Sequence, residues 1–332
     1  MAMKANRKVL WGVWLLSLAL VAACSNDPAP GGEPPTPPGQ QETQPGETSE
    51  TDSEEQLISE FWQTIRDATG PSELIAFLDE RLPSASESAA DRLLLELEAY
   101  YAEDLPITQG RFLTNEVQEK FSMMGDPTTV EQITDDELRA WTEQAEAGHY
   151  VLVQTAGEVY PIVDYAALDK YRRYLSSDLS DYLKLKAMDS QRLKSGTSDS
   201  AGTLEAVAER AIAAEQYLDR YPEGLKRDEM LSDYINRTEY LLFGMANGPR
   251  FDLDSGILFD EYRQAFERIA ETRGDTYTGT LVRRLLELLG ESDQKLIIVS
   301  ANDRRDVPAI AELRDGLAEQ IREHYGDPAA AP

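Results

Sequence analysis

Apolar residues recur at helical spacing through most of the chain. Leu57, Ile58, Phe61, Trp62 and Ile65 mark one face of a first helix, which Ser53 and Gln56 open as a capping box and Gly70-Pro71 closes. A short helix is expected over Ser72–Arg81. A third, from Ser86 to Ala102, carries Ala89, Leu93, Leu94, Leu97 and Tyr101 as its apolar stripe. Residues 115–124 give another helix, and Thr134 with Glu137 repeats the capping-box spacing ahead of one holding Leu138, Trp141 and Ala145. The pattern then changes. Tyr150–Gln154 and Glu158–Val163 are rich in β-branched and aromatic residues, and Ala156-Gly157 between them suits a tight turn. This predicts one β-hairpin, with Pro161 confining its second strand to an edge.

Helical periodicity returns over Tyr165–Tyr174 and Leu179–Met188. The polar stretch Lys194–Thr203 reads as a loop or as a division between two subdomains. Beyond it, helices are expected over Leu204–Tyr221, 226–244, Asp260–Arg273, Thr278–Leu289 and Pro308–Tyr325. Leu296–Val299 is short, apolar and β-branched, and fits a strand or a buried helical turn equally. The sum is an all-α body over residues 55–326 with one small β-hairpin near 150–163, followed by a disordered tail at 327–332. Two segments, AERAIAAEQYLDRYPEG and EYRQAFERIAETRGDTY, each precede a partner helix. Over residues 204–289 these pairs resemble tetratricopeptide-type helical repeats, whose first helix often runs to a Tyr-Pro turn. That resemblance implies irregular stacked helix pairs. The offset of about 50 residues, against the usual 34, and the missing Pro in the second pair fit an ordinary helical bundle instead. Both arrangements stay open.

The chain before residue 55 is built differently. Lys4, Arg7 and Lys8 precede a charge-free apolar run from Val9 to Ala23, shorter than the roughly 20 residues that cross a bilayer core. A basic flank, a short apolar run and small residues at its end are the parts of a secretory signal peptide over residues 1–23. The run ends Val21-Ala22-Ala23-Cys24, and Cys24 is the chain's only cysteine. This resembles the lipobox of bacterial lipoproteins. The resemblance implies a diacylglyceryl group on Cys24, cleavage between Ala23 and Cys24, and a protein held by its acyl chains to the lipid bilayer of the cell membrane, on the extracytoplasmic side.

Residues 24–54 form the expected spacer. From residue 25 to 54 it holds seven of the 17 prolines and seven acids, with no Lys or Arg. Such a stretch buries too little apolar surface to order itself and is predicted as a disordered tether, reaching between ~30 and ~90 Å.

Charge changes the list of partners. The chain carries 32 Lys+Arg against 61 Asp+Glu, a net charge of −29, and losing the signal peptide's three cations takes it further negative. Phosphate backbones are repelled, so no nucleic-acid partner is expected. Anionic headgroups are repelled too, which leaves the anchoring to the lipid.

One cysteine gives no disulfide framework, and two histidines give little material for a metal centre. No cofactor and no metal are expected. The weak exception is calcium at Asp252, Asp254 and Asp260. Gly256 stands fifth in that loop where a sixth-position glycine is needed, and Arg263 stands where Glu is needed, so this is no EF-hand. The plainer reading is a loop capping the next helix. Nucleophile elbows, zinc-protease helices and phosphate-binding loops are absent from the sequence.

Six of 15 tyrosines fall within 33 residues: Tyr150, Tyr160, Tyr165, Tyr171, Tyr174 and Tyr182. Flat rings with polar tips suit glycan or peptide recognition, and the first five are the candidate binding face. Alternatively they pack the hairpin onto the following helices. The expected function is that of a membrane-anchored, non-catalytic binding or scaffolding lipoprotein for a protein or an envelope polymer. Two alternatives stand beside it: the substrate-binding lipoprotein of an ABC importer, and an envelope hydrolase that works with carboxylates alone.

Overall fold

The helical period of the body is realised as packed helices in a computed structural model that describes residues 47–195, 204–244, 250–300 and 303–326, with side chains from Ser53 onward. Ala23 and Cys24, the signal segment, the spacer up to residue 46 and the tail 327–332 lie outside the described residues. Those described form eleven α-helices and two two-stranded antiparallel hairpins, with no larger sheet. The all-α reading with a hairpin at 150–163 holds, and a second hairpin at 297–306 joins it.

Helix α1 (Glu47–Asp67) begins within the stretch assigned to the spacer. Pro45-Gly46 is the last breaker, and nothing after it opposes a helix, so Ser53 lies inside α1 and does not cap it. Helix α2 (Pro71–Arg81) starts on a proline at its first position, where the missing N–H costs nothing. Helix α3 (Glu87–Phe112) is capped by Ser86 and runs ten residues past its expected end, through Pro106. An interior proline costs about 3 kcal/mol. Contacts beyond it offset that: Phe112 is fully buried, and Gln109 Nε2 donates to the Pro161 carbonyl at 2.9 Å. Helix α4 spans Asn115–Met123. Helix α5 (Asp136–Ala147) is capped by Asp135, one residue later than the expected Thr134, through the N–H groups of Glu137 and Leu138.

Strands β1 (Tyr150–Thr155) and β2 (Glu158–Val163) pair with Leu152 opposite Pro161 and Val153 opposite Tyr160. Ala156 and Gly157 both take positive φ, 54° and 87°, as a twist-matched two-residue turn requires. The next segment, Ala167–Tyr174, is a 3₁₀ helix. Helices α6 (Ser177–Lys194), α7 (Leu204–Arg220), α8 (Arg227–Phe243), α9 (Asp260–Thr272) and α10 (Tyr277–Glu291) follow, then α11 (Pro308–Tyr325). Between α10 and α11, β3 (Ile297–Ser300) resolves the ambiguous apolar run as a strand. Its partner β4 (Asp303–Asp306) reads Asp-Arg-Arg-Asp and has no apolar alternation to announce it.

The main core joins α1, α2, most of α3 and helices α6 to α11. Residues 196–203 lie outside the description, yet Tyr182 before them and Leu204 after them belong to this one cluster. A smaller core of Phe112, Val117, Phe121, Ile133, Leu138, Leu152 and Val159 sits between the end of α3, α4, α5 and the first hairpin. Several helix ends are satisfied by charged side chains from elsewhere. Asp91 accepts the Ser176 N–H at the start of α6, at 2.9 Å. Glu215 of α7 accepts the N–H groups of Tyr277 and Thr278 at the start of α10, at 2.7 and 2.8 Å. Arg250 donates to the Tyr240 and Leu241 carbonyls at the end of α8, and Arg227 to those of Tyr325 and Gly326 at the end of α11. Carboxylates meet N-termini and guanidinium groups meet C-termini, the signs that the helix dipole favours.

Candidate functional site

The tyrosine cluster does not form one surface. Tyr150 and Tyr171 are 2% and 1% exposed, so neither ring faces solvent, which corrects their place on a binding face. Tyr150 donates to Asp104 Oδ2 at 2.9 Å and packs on Tyr101; Tyr171 donates to Asp79 Oδ1 at 2.8 Å. Burial pushes both hydroxyls well above the ordinary tyrosine value. These rings fasten the hairpin and the 3₁₀ segment to α2 and α3. Tyr160, Tyr165 and Tyr174 are half-buried, and the Arg173 guanidinium lies over the Tyr174 ring.

Only Tyr165 and Tyr182 meet at a polar site. Glu98, on α3, accepts from Tyr182 at 2.6 Å and Tyr165 at 3.2 Å through Oε1, while Lys226 Nζ stands 2.6 Å from Oε2. Glu229 of α8 completes the cluster. Its Oε1 accepts from Tyr182 at 2.8 Å and Lys186 at 3.0 Å, and its Oε2 from Lys226 at 3.0 Å. Burial alone would raise the Glu229 pKa, but Lys186 and Lys226 outweigh it and hold the carboxyl down at about 2. Burial opposes the charge on Lys226 as well, and Glu98 keeps it protonated. Glu98, Tyr165, Tyr182, Lys226 and Glu229 line a cleft of about 320 Å³ together with Leu95, Ala99, Ala102, Leu105 and Val163, with Lys186 behind Glu229.

The sequence held a signal for this site. Glu98 occupies the arc of Leu94, Leu97 and Tyr101, and a carboxylate on an apolar stripe marks a buried, satisfied charge. Lys186, Lys226 and Glu229 carry no such mark, since each reads as an ordinary solvated helix charge.

The calcium candidate does not assemble. Asp252 Oδ1 accepts the Asp254 and Ser255 N–H groups and the Ser255 hydroxyl, closing the loop on itself. Asp260 turns to Arg263 at 3.1 Å. Among the described residues no group of three or more His, Cys, Asp or Glu side chains is placed to hold a metal ion. His324 stacks on Tyr277 with ring centroids 3.7 Å apart. His149 is half-buried, and burial and Lys170 lower its pKa against the pull of Asp79 and Asp164.

A larger depression, about 500 Å³, lies between the end of α3, α4 and α5, lined by Ile107, Arg111, Val117, Lys120, Leu138 and Trp141 among others. It adjoins a smaller hollow that reaches Pro71, Phe112 and Tyr150, the two sharing Arg111 and Trp141. An apolar side chain stands open here: Ile107 is 55% exposed. Lys120 is paired with Asp135 at 3.2 Å. Arg111 sits exposed on the rim without a carboxylate partner among the described residues. The sequence reading misses this groove because it ends the third helix at Ala102, ahead of Ile107 and Arg111. Among the described residues no helix is long and apolar enough to cross a membrane. No family model, no curated protein and no solved structure matches this chain.

Proposed function

We propose that the chain is a lipid-anchored, non-catalytic binding module of a bacterial cell envelope, which holds a protein or polymer partner in the groove between α3, α4 and α5. The groove carries this reading: a depression of about 500 Å³ whose lining includes Trp141, an exposed Ile107 and Arg111, which has no carboxylate partner among the described residues. An exposed apolar side chain beside a concavity, with Trp and Arg as anchors, is the composition of an interaction site. The lipobox-like run ending at Cys24 supports a membrane tether, and the Pro-rich acidic stretch after it supports a stand-off from the headgroups.

The two alternatives draw less support. Importer receptors use two lobes built on parallel strands, whereas the described strands form two separate hairpins. A carboxylate hydrolase needs a raised acid near a base. Glu98 and Glu229 share a cleft, but tyrosine and lysine donors occupy them and Glu229 is held low.

A photo-crosslinker placed at Ile107 in cells tests the reading, with one at the exposed Arg284 as comparison. A discrete adduct at Ile107 that Trp141→Ala and Arg111→Glu both remove is the expected outcome. No adduct at Ile107, or the same adducts at both positions, overturns it.

A further inference from the structure

We propose that the cleft beside Glu98 is a second, separate binding site, and that its ligand is a neutral saccharide. Its wall on α3 is apolar and shallow, because Ala99 and Ala102 leave room where larger side chains would fill it. Its volume of about 320 Å³ is at the small end of the range for small-molecule sites, roughly 300–1,000 Å³.

Charge selects the ligand class. Glu98 and Glu229 bring two negative charges, and Lys186 and Lys226 bring two positive ones, all within one chain of contacts of 2.6–3.0 Å. The sum is zero. A charged ligand would add an uncompensated charge to groups already withdrawn from water, which is costly. A purely apolar ligand would cover these groups and return nothing. A neutral polyol does neither.

Hydroxyls match the polar floor in detail. A hydroxyl both donates and accepts, and neighbouring hydroxyls on a ring lie about 3 Å apart, near hydrogen-bond spacing. Lys226 and Glu229 present a donor and an acceptor 3.0 Å apart. Lys226 has three N–H groups and directs two of them at Glu98 and Glu229, which leaves the third for a ligand oxygen. The Glu229 side chain is 39% exposed and can accept from the adjacent hydroxyl.

The C–H face of a sugar ring needs an apolar platform, and Tyr165 with Ala99, Ala102 and Leu95 supplies one. Tyr165 is fixed beforehand: Glu98 holds its hydroxyl at 3.2 Å, and Lys186 Nζ lies 5.2 Å from its ring centroid. A platform already in place loses little freedom on binding.

Isothermal titration of the full mature chain tests this, using neutral trisaccharides of glucose, galactose and N-acetylglucosamine beside a trisaccharide of glucuronate. At least one neutral sugar should bind with a Kd of about 1 mM or tighter, and the charged one at least tenfold more weakly. Ala102→Trp fills the cleft from an exposed position on α3 and should weaken binding at least tenfold at an unchanged melting temperature. Ala99→Trp serves the same purpose should that variant fail to fold. Arg111→Glu, in the groove, should leave saccharide binding as it was, so that the two sites fail or stand separately. Absence of neutral-sugar binding at that level, equal or tighter binding of glucuronate, or wild-type affinity in a folded cleft-filled variant overturns the proposal.

Discussion

Glu215 and Thr278 meet twice, the carboxylate accepting the threonine N–H at 2.8 Å and its hydroxyl at 2.6 Å, so that α7 holds the first turn of α10. Glu215 is buried, and Tyr277 N–H shares the same carboxylate at 2.7 Å. Glu215→Ala leaves the buried Thr278 N–H and the part-buried Tyr277 N–H unpaired. It should lower unfolding free energy by about 2–4 kcal/mol, with Glu215→Gln losing less because an acceptor remains. Chemical denaturation measures both, and a loss under about 1 kcal/mol for the alanine variant would remove Glu215 as the cap.

Tyrosines of the cluster should separate by burial. Tyr171→Ala empties a fully buried site and should cost about 3–5 kcal/mol, whereas Tyr174→Ala, at a half-buried position, should cost about 1 kcal/mol or less. Two similar melting curves for these variants would contradict the assignment of Tyr171 to the core.

Glycine substitutions should move stability in opposite directions. A Cβ at Gly148 would stand 2.3 Å from Pro71 Cγ, where α5 hands over to β1, and Tyr101 donates to the Gly148 carbonyl at 2.9 Å. Gly148→Ala should therefore destabilise by about 1–3 kcal/mol. At Gly110 on α3 nothing lies within 4 Å of the added carbon, so Gly110→Ala should stabilise by about 0.5–1 kcal/mol. Paired thermal melts decide it.

Acid should erase the contribution of Glu229. Its carboxyl titrates at about 2 in the folded chain against an ordinary 4.5, because the lysines beside it outweigh its burial. The stabilisation is complete above the ordinary value and disappears as the pH falls towards the folded one. The melting-temperature gap between wild type and Glu229→Gln should be widest above about pH 5 and close as the pH nears 2. A gap that does not change with pH would show that the lysine contacts do not stabilise the charged form.

The lipoprotein proposal rests on one position, Cys24. Cys24→Ala should leave uncleaved precursor or release soluble protein, and wild type should carry a lipid mass on Cys24. Equal membrane retention of both, with no lipid mass on wild type, would end the lipoprotein proposal.

Periodicity made most of the helices legible, since their stripes, such as Leu93, Leu94 and Leu97 in α3, meet the core as written. The first hairpin was legible through its β-branched strands and its turn. What stayed hidden was set by contacts distant in sequence. Helix α3 crosses Pro106 because Phe112 and Gln109 find partners beyond it, and β4 forms because Ile297–Ser300 offers it a ladder. The site was half legible. Two of the crowded tyrosines, Tyr165 and Tyr182, line the cleft, but its charged partners Lys226 and Glu229 lie more than forty residues on and carry no mark that joins them to those rings.

Side chains that reach across to seal helix ends alter how this body opens. A terminus normally frays alone, at little cost, and its amides exchange with solvent first. Here the start of α10 cannot unwind without releasing α7, nor the end of α11 without releasing Arg227 from α8. Amides at these two ends should exchange with deuterium as slowly as those in mid-helix, and the opening that frees them should involve several helices together. These two ends should open only when the interior does.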